Sequence, residues 1–363
     1  MPLRLPQLRL RLPAASRPRF AARRKAGRAL GWGVAAFLGV QLSLGVASEL
    51  YPRIRDPLYG DKFVKLERKL AATPKPTTVV MLGSSRTGLA FHGSRVEAAF
   101  ADEPRRCVAF NYGTPASGPV THLLYLNRML KSGVVPDLLL VEVLPSMLAE
   151  VPGGPLERLW FYPDRITFRE YDTLVRHQFP AGSVREGHLK SVAIPAFALR
   201  FQLLTRLAPS WVPWQFRFDW SRSSDESGWG TPLIQNPSPE HRAKAEQQAR
   251  DEYAAVLADW KPGGGAVTAL RELLETCRQR GIPVRLVLMP EGTTFRAMYS
   301  PTVLARLDEF LRTLGVPVID ARTWLPDDSF NDGHHMFRRG AEAFTDRLTR
   351  GAIRPALEGG RPK

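Results

Sequence analysis

An α/β fold built around a parallel sheet is what this 363-residue sequence predicts, and three observations carry the prediction. Five short apolar runs (77–82, 107–111, 138–143, 284–289 and 316–320) suit strands buried on both faces, as in a parallel sheet. Between them lie helical patterns at 118–130, 266–279, 301–314 and 339–350; Leu270, Leu273, Leu274 and Cys277 mark the stripe of a helix facing a sheet. Strands alternating with helices imply parallel pairing through crossovers. Finally, 44% hydrophobic residues and a mean hydropathy of −0.20 describe a globular chain with a real core.

The formal charge of +16 is unevenly spread. Residues 1–28 hold nine Arg or Lys and no Asp or Glu, which leaves +7 on the remainder. Next comes an uncharged apolar stretch over 29–48, about 30 Å long as a helix and so matched to a hydrocarbon core. We read 1–28 as a basic cytoplasmic tail and 29–50 as a single transmembrane anchor. The positive-inside rule then places everything downstream across the membrane. A cleaved leader is the competing reading, because Gly45-Val46-Ala47 offers small residues near a cut site. Basic residues beside an apolar span argue for membrane orientation and against nucleic-acid binding.

Residues 51–76, with Pro52, Pro57, Pro74 and Pro76, read as a membrane-proximal connector with one short helix. The α/β rhythm runs from 77 to 350 and breaks over an insertion at about 147–265. That insertion is rich in aromatics, including Trp160, Phe161, Tyr162, Trp211, Trp214, Phe216, Phe218, Trp220 and Trp229. It is either a helical subdomain with its own aromatic core or a lid over the sheet edge. Residues 351–363 read as a flexible tail. Cys107 and Cys277 fall in a strand and a helix; two buried free thiols are expected, with no disulfide scaffold and no metal-ligand spacing.

The chemistry gathers where the first strand ends, at Gly83-Ser84-Ser85-Arg86. In open α/β sheets ligands bind at the carboxyl ends of strands. Gly83 and Gly88 have P-loop spacing, but Leu89 stands where the phosphate-binding lysine belongs. Thr87 likewise occupies the last glycine position of a nucleophile elbow. A serine hydroxyl needs a base and a group that orients the base. Far downstream, Asp332-Gly333-His334-His335 brings both on one loop. Ser85 is the expected nucleophile, His335 the base and Asp332 the orienter. Other assignments are Ser84 as nucleophile, His334 as base, or Ser85 as a plain helix cap. Glu142 and Glu291 are expected at the same sheet edge in supporting roles.

On these blocks the chain resembles the SGNH/GDSL hydrolase superfamily, and in particular its membrane-anchored acyltransferase-like branch, which includes proteins similar to the alginate O-acetylation and lipoteichoic-acid D-alanylation proteins. Gly83-Ser84-Ser85 resembles the G-D-S block, Asn111-Tyr112-Gly113 the second block, and Asp332 to His335 the terminal D-x-x-H block. The resemblance implies a flavodoxin-like three-layer sandwich and a Ser85–His335–Asp332 triad. It further implies an oxyanion or substrate site using Gly113, Asn111 and Arg86. It departs at the third block, where Glu142-Val143-Leu144 contains no Asn. The implied activity is ester hydrolysis or O-acyl transfer, without cofactor or metal. The partners implied are an acylated carbohydrate or envelope polymer, the membrane and an acyl-donating membrane protein. The location expected is a bacterial-type inner membrane, with the catalytic domain on the extracytoplasmic side.

Overall fold

A computed structural model describes residues 20–213, 217, 224–231 and 237–359. Trp214, Phe216, Phe218, Trp220, the first 19 residues of the basic tail and residues 360–363 lie outside the described residues. Five parallel strands form the sheet: β1 (Thr77–Gly83), β2 (Cys107–Gly113), β3 (Leu138–Val143), β4 (Val284–Leu288) and β5 (Val318–Asp320). Their order is β2-β1-β3-β4-β5. This is the flavodoxin-like order, and the strand order reverses at β1, where such sheets open a crevice. The α/β class, the parallel sheet and the three layers are as the sequence predicts.

The helices in chain order are α1 (Phe20–Leu50), α2 (Pro52–Arg55), α3 (Pro57–Ala72), α4 (Ser85–Ala90), α5 (Gly93–Ala99), α6 (Pro119–Lys131), α7 (Tyr171–Arg176) and α8 (Ala181–Ala193). They continue as α9 (Pro195–Ala198), α10 (Arg200–Leu207), α11 (Pro239–Ala258), α12 (Gly264–Gln279), α13 (Thr293–Arg296), α14 (Pro301–Thr313), α15 (Arg338–Leu348) and α16 (Arg354–Gly359). Because strand side chains alternate, β1 feeds two cores. Val80 and Leu82 join residues of α3, α6, α12 and α14 on one face, while Val79 and Met81 join α4, α5 and α15 on the other.

The segment 51–76 does more than connect. Tyr59, Phe63 and Leu66 of α3 are buried in the larger core, one turn apart on one face. On the same face Lys62 is buried, and its ammonium donates to the carbonyls of Asn111, Gly113 and Gly228 at 2.7–3.0 Å. Burial pushes its pKa down to about 7. A charge-rich composition hid this helix, since one stripe suffices to bury it.

α1 is long and apolar enough to cross a membrane by length and composition, and Leu30, Trp32, Phe37, Leu38 and Leu42 on it are exposed. Within the insertion, Trp260 and Trp229 are buried, Trp229 against His92 and with its indole donating to the Leu89 carbonyl. Cys107 and Cys277 are free and buried, and burial pushes both thiols up to about 12.

Candidate active site

β1 ends at Gly83, and two contacts require a glycine there. A Cβ would stand 2.0 Å from the Thr87 hydroxyl and 2.4 Å from Glu142 Oε2. The space is needed because the Glu142 carboxylate, at the end of β3, reaches past Gly83 into the turn. It accepts from the Ser84 N–H at 2.7 Å, the Ser84 hydroxyl at 2.9 Å and the Thr87 hydroxyl at 2.6 Å. Ser84 is the N-cap of α4, its hydroxyl accepting from the Arg86 N–H at 3.2 Å. Capping therefore falls on Ser84 and leaves the next hydroxyl, at the first helical position, without that duty.

That hydroxyl belongs to Ser85, and its Oγ lies 2.8 Å from His335 Nε2. His335 Nδ1 lies 2.7 Å from Asp332 Oδ2. The loop that carries the pair is closed by the Asn331 N–H to the His335 carbonyl at 2.9 Å and by pairing of Phe330 with Met336. Gly333 supplies a φ of +85° inside it. Asp332 Oδ1 accepts from the backbone N–H groups of His335 at 2.7 Å and His334 at 3.1 Å, so the carboxylate orients ring and loop alike. A carboxylate on Nδ1–H leaves the Nε2 lone pair facing the serine O–H.

The electrostatics follow this order. Burial alone would raise the Asp332 pKa, but the two histidines and the donated hydrogen bonds outweigh it and hold the carboxyl below its usual range. For His335, burial lowers the pKa and Asp332 raises it by charge and hydrogen bond; the net direction is up. His334 is pushed down to about 3 by burial and by His335. Its ring is packed by Phe295 and Tyr253, the latter from α11, so the insertion reaches the edge of this site. His334 is thus held neutral in an aromatic pocket, while His335 faces the hydroxyl.

Of the residues expected at an oxyanion or substrate site, all three sit in the scaffold of the turn. Asn111 donates to the carbonyls of Thr87, Gly88 and Phe91 and accepts from the Gly113 N–H at 2.9 Å. The Gly113 N–H is therefore already used. Its missing side chain matters more: a Cβ there would stand 2.2 Å from the Gly88 nitrogen, so only glycine lets α4 cross β2 this closely. Arg86 is buried, with one guanidinium nitrogen donating to the carbonyls of Met289 and Pro290 and to Glu291 Oε1 at 3.1–3.3 Å. It ties the end of β1 to the end of β4. Glu291 is itself buried, accepts from the Tyr299 hydroxyl, and has its pKa raised by burial.

Sequence reasoning placed Glu142 at the edge in a supporting role, but not its grip on both Ser84 and Thr87. The signal was a single carboxylate in the otherwise apolar run Leu138-Leu139-Leu140-Val141-Glu142-Val143, which a buried strand tolerates only when the charge is satisfied. Asp332, His334 and His335 also place one carboxylate and two imidazoles within 4.8 Å, a donor set a divalent ion could use. Here both Asp332 oxygens and both His335 nitrogens are committed, to one another, to backbone N–H groups and to Ser85.

No protein-family model and no curated protein matches the sequence. Solved structures similar to it include a gut microbial diltiazem-metabolizing enzyme, at 11% identity and a TM-score of 0.35, covering 77% of this chain and 48% of that one. This chain therefore spans about half the length of that enzyme. A GDSL-like lipase from Bacteroides thetaiotaomicron VPI-5482 is similar at 9% identity and a TM-score of 0.35, covering 83% of this chain and 99% of the other. A mutant of the esterase AlinE4 is similar at 13% identity and a TM-score of 0.28, covering 80% and 99%.

Proposed function

We propose that this chain is a membrane-anchored serine esterase or O-acyltransferase of the SGNH/GDSL type, acting on acyl esters of carbohydrate or envelope polymers. One observation carries the reading: the Ser85 hydroxyl, the His335 ring and the Asp332 carboxylate form a continuous hydrogen-bonded chain of 2.8 and 2.7 Å. In the reaction, Ser85 Oγ attacks the ester carbonyl carbon while His335 Nε2 takes the hydroxyl proton. Asp332 stabilises the imidazolium that results. Collapse of the tetrahedral intermediate breaks the ester C–O bond, and His335 returns the proton to the departing alcohol. Water or a sugar hydroxyl then attacks the Ser85 acyl ester by the same route in reverse, giving hydrolysis or transfer. The Ser85 N–H, at the amide end of α4, is the backbone donor for the oxyanion, where each such donor is worth on the order of 3 kcal/mol.

Anchoring through α1, with its basic leader, supports an extracytoplasmic domain held at the inner membrane, beside an acyl-donating membrane partner. The test is p-nitrophenyl acetate hydrolysis by the full-length protein in detergent, against Ser85→Ala. Equal rates would remove the catalytic claim.

A second reading is a catalytically idle scaffold in an envelope-polymer complex. Two observations favour it: the Gly113 N–H is spent on Asn111, and Glu142 stands where the resemblance implies an oxyanion Asn. A fluorophosphonate probe separates the two readings, since a scaffold leaves Ser85 unlabelled.

A further inference from the structure

α1 is not a free-standing anchor. The insertion packs a helical hairpin antiparallel along its last three turns, in a register that repeats every four residues. His188 of α8 lies 3.7 Å from Glu49; Val192 and Pro195 meet Gly45, with a Cβ there 3.6 Å from the proline ring; and the Ala196 N–H of α9 donates to Gln41 Oε1 at 3.1 Å. The base of the hairpin is pinned by Arg55, fully buried, which pairs with Glu49, donates to the Ser191 hydroxyl at 2.7 Å and reaches the Asp164 carbonyl at 3.3 Å.

This register sets a depth. Gln41 lies seven residues inside the end of the uncharged stretch, about 10 Å along the axis, and half a hydrocarbon core is about 15 Å. The tip of the hairpin, α9, therefore sits about two-thirds of the way into a leaflet. Its surface fits that position. Leu189, Val192, Ile194, Phe197, Leu207 and Trp211 are exposed, Phe197 at 63%, Leu207 at 83% and Trp211 at 78%. Residues 187–218 contain no Asp or Glu. The Arg200 guanidinium carbon lies 4.0 and 4.3 Å from the centres of the Phe197 and Phe201 rings, so its charge is held over aromatic faces. An apolar face with Trp and Phe, flanked by Lys190, Arg200 and Arg206, is the composition of an interfacial helix on anionic lipid. Gln41 itself is explained: the one amide in the apolar stretch satisfies a first-turn N–H that lipid could not.

We infer that α8, α9 and α10 form a second membrane element, a re-entrant hairpin whose tip at Ile194–Phe197 is buried in the extracytoplasmic leaflet beside α1. The inference rests on the reading of α1 as a membrane span and adds to it. A single span leaves the domain free to swivel; a span plus a hairpin fixes the height and tilt of the sheet, and the active site works at a set distance from the lipid surface. A substrate carried on a lipid in the same leaflet suits such a mount.

The test uses the full-length chain reconstituted into vesicles of phosphatidylcholine and phosphatidylglycerol. Single cysteines carrying the fluorophore NBD are placed at Ile194, Phe197, Leu38 on α1 and Glu309 on α14, the native Cys107 and Cys277 being buried. Lipids with a nitroxide on the acyl chain act as quenchers. The expected result is quenching at Ile194→Cys and Phe197→Cys as strong as at Leu38→Cys and several-fold stronger than at Glu309→Cys. Quenching at Leu38→Cys alone overturns the hairpin and leaves the span standing. No quenching at Leu38→Cys removes the span itself. Blue-shifted emission at 194 and 197 without lipid quenching assigns the face to a protein partner or a second copy, and also overturns the inference.

Discussion

Two of the polar clusters among the described residues are built on opposite plans. At the carboxyl edge of the sheet, Ser85, His335 and Asp332 form a linear relay with one half-exposed end. Below α3 and α6, Asp56, Arg128, Arg165 and Glu170 form a closed cage. Asp56 Oδ2 meets Arg128 at 2.9 Å and Arg165 at 3.2 Å, Arg128 grips Glu170 through two bonds of 2.7 and 3.0 Å, and Arg165 donates to the Tyr125 hydroxyl at 2.6 Å. Burial pushes the Asp56 pKa up, yet its two arginines hold it below the ordinary carboxylate value. The cage joins the connector, α6 and the insertion, and no proton in it is free to move. The relay joins the first turn of α4 to the loop of Asp332 and His335 and differs by one labile proton. Similar side chains thus hold the fold together in one place and, on the proposed function, carry chemistry in the other, where an imidazole lone pair faces a hydroxyl and not a cation.

Substitutions should separate the two plans. The largest effect expected is on activity: Ser85→Ala lowers kcat/KM for a p-nitrophenyl ester by roughly 10⁴–10⁶-fold, with a melting temperature matching the parent. Arg128→Ala should do the converse. It removes one of the two arginines on Asp56 and the ion-pair partner of Glu170 and costs about 3–5 kcal/mol of stability, read as a drop in melting temperature, while protein that stays folded keeps kcat/KM within a few-fold. A cage variant that loses catalysis without losing stability would collapse the distinction.

Glu142→Gln probes the seam between the plans, because this buried carboxylate supports the turn that presents Ser85. The amide keeps the shape but weakens three charge-assisted bonds and turns N–H groups towards other donors. A fall in kcat of about 10–100-fold with little change in KM is expected, on the scale of an imperfectly satisfied buried group. An unchanged kcat would show that Ser84 and Thr87 hold the turn unaided.

pH sharpens the comparison further. His335 acts as a base only when neutral, and its pKa lies above the ordinary 6.5. The rising limb of kcat/KM should therefore be centred above pH 6.5, with activity falling about tenfold per pH unit below it. Asp332→Asn should move that limb down as well as lower the plateau. The stability signs differ. A raised histidine stabilises the fold below its unfolded pKa, an effect lost as pH rises through the folded value; the depressed Asp332 stabilises above its ordinary 3.8, an effect lost on acidification. The cage, held by arginines, contributes only at the acid end, through Asp56 and Glu170.

What could be read from the chain divides along the same line. The strands were legible because each is a compact apolar run, so β1 to β4 start where expected; β5 begins at Val318, two residues late, because Pro317 accepts from the Leu286 N–H but has no N–H of its own to give the sheet. The meeting of residues 85, 332 and 335 was legible because a three-residue spacing puts Asp and His on one loop, and a strand end fixes the serine. The cage was not legible: Asp56, Arg128, Arg165 and Glu170 are scattered charges that sequence reasoning assigns to the surface until packing buries them together. Arg86 and Asn111 misled for a related reason. Their positions beside Ser85 are right for substrate, but the Asn111 amide and one Arg86 nitrogen are spent on the scaffold. The α8–α10 segment left two traces, Gln41, a polar residue that makes sense once its partner is known, and the absence of Asp or Glu over 187–218.

Ser84 offers the smallest and most discriminating change. Its hydroxyl caps α4 and donates to Glu142, so Ser84→Ala removes one cap and one buried hydrogen bond, costing about 1 kcal/mol. The two serines are adjacent and chemically identical, and only orientation distinguishes them: one faces a carboxylate inside the fold, the other an imidazole at its edge. If orientation decides, Ser84→Ala lowers the melting temperature by a few degrees (about 1 kcal/mol in a domain of this size), and fluorophosphonate still labels residue 85. Loss of labelling in Ser84→Ala at an unchanged melting temperature would instead move the nucleophile one residue back.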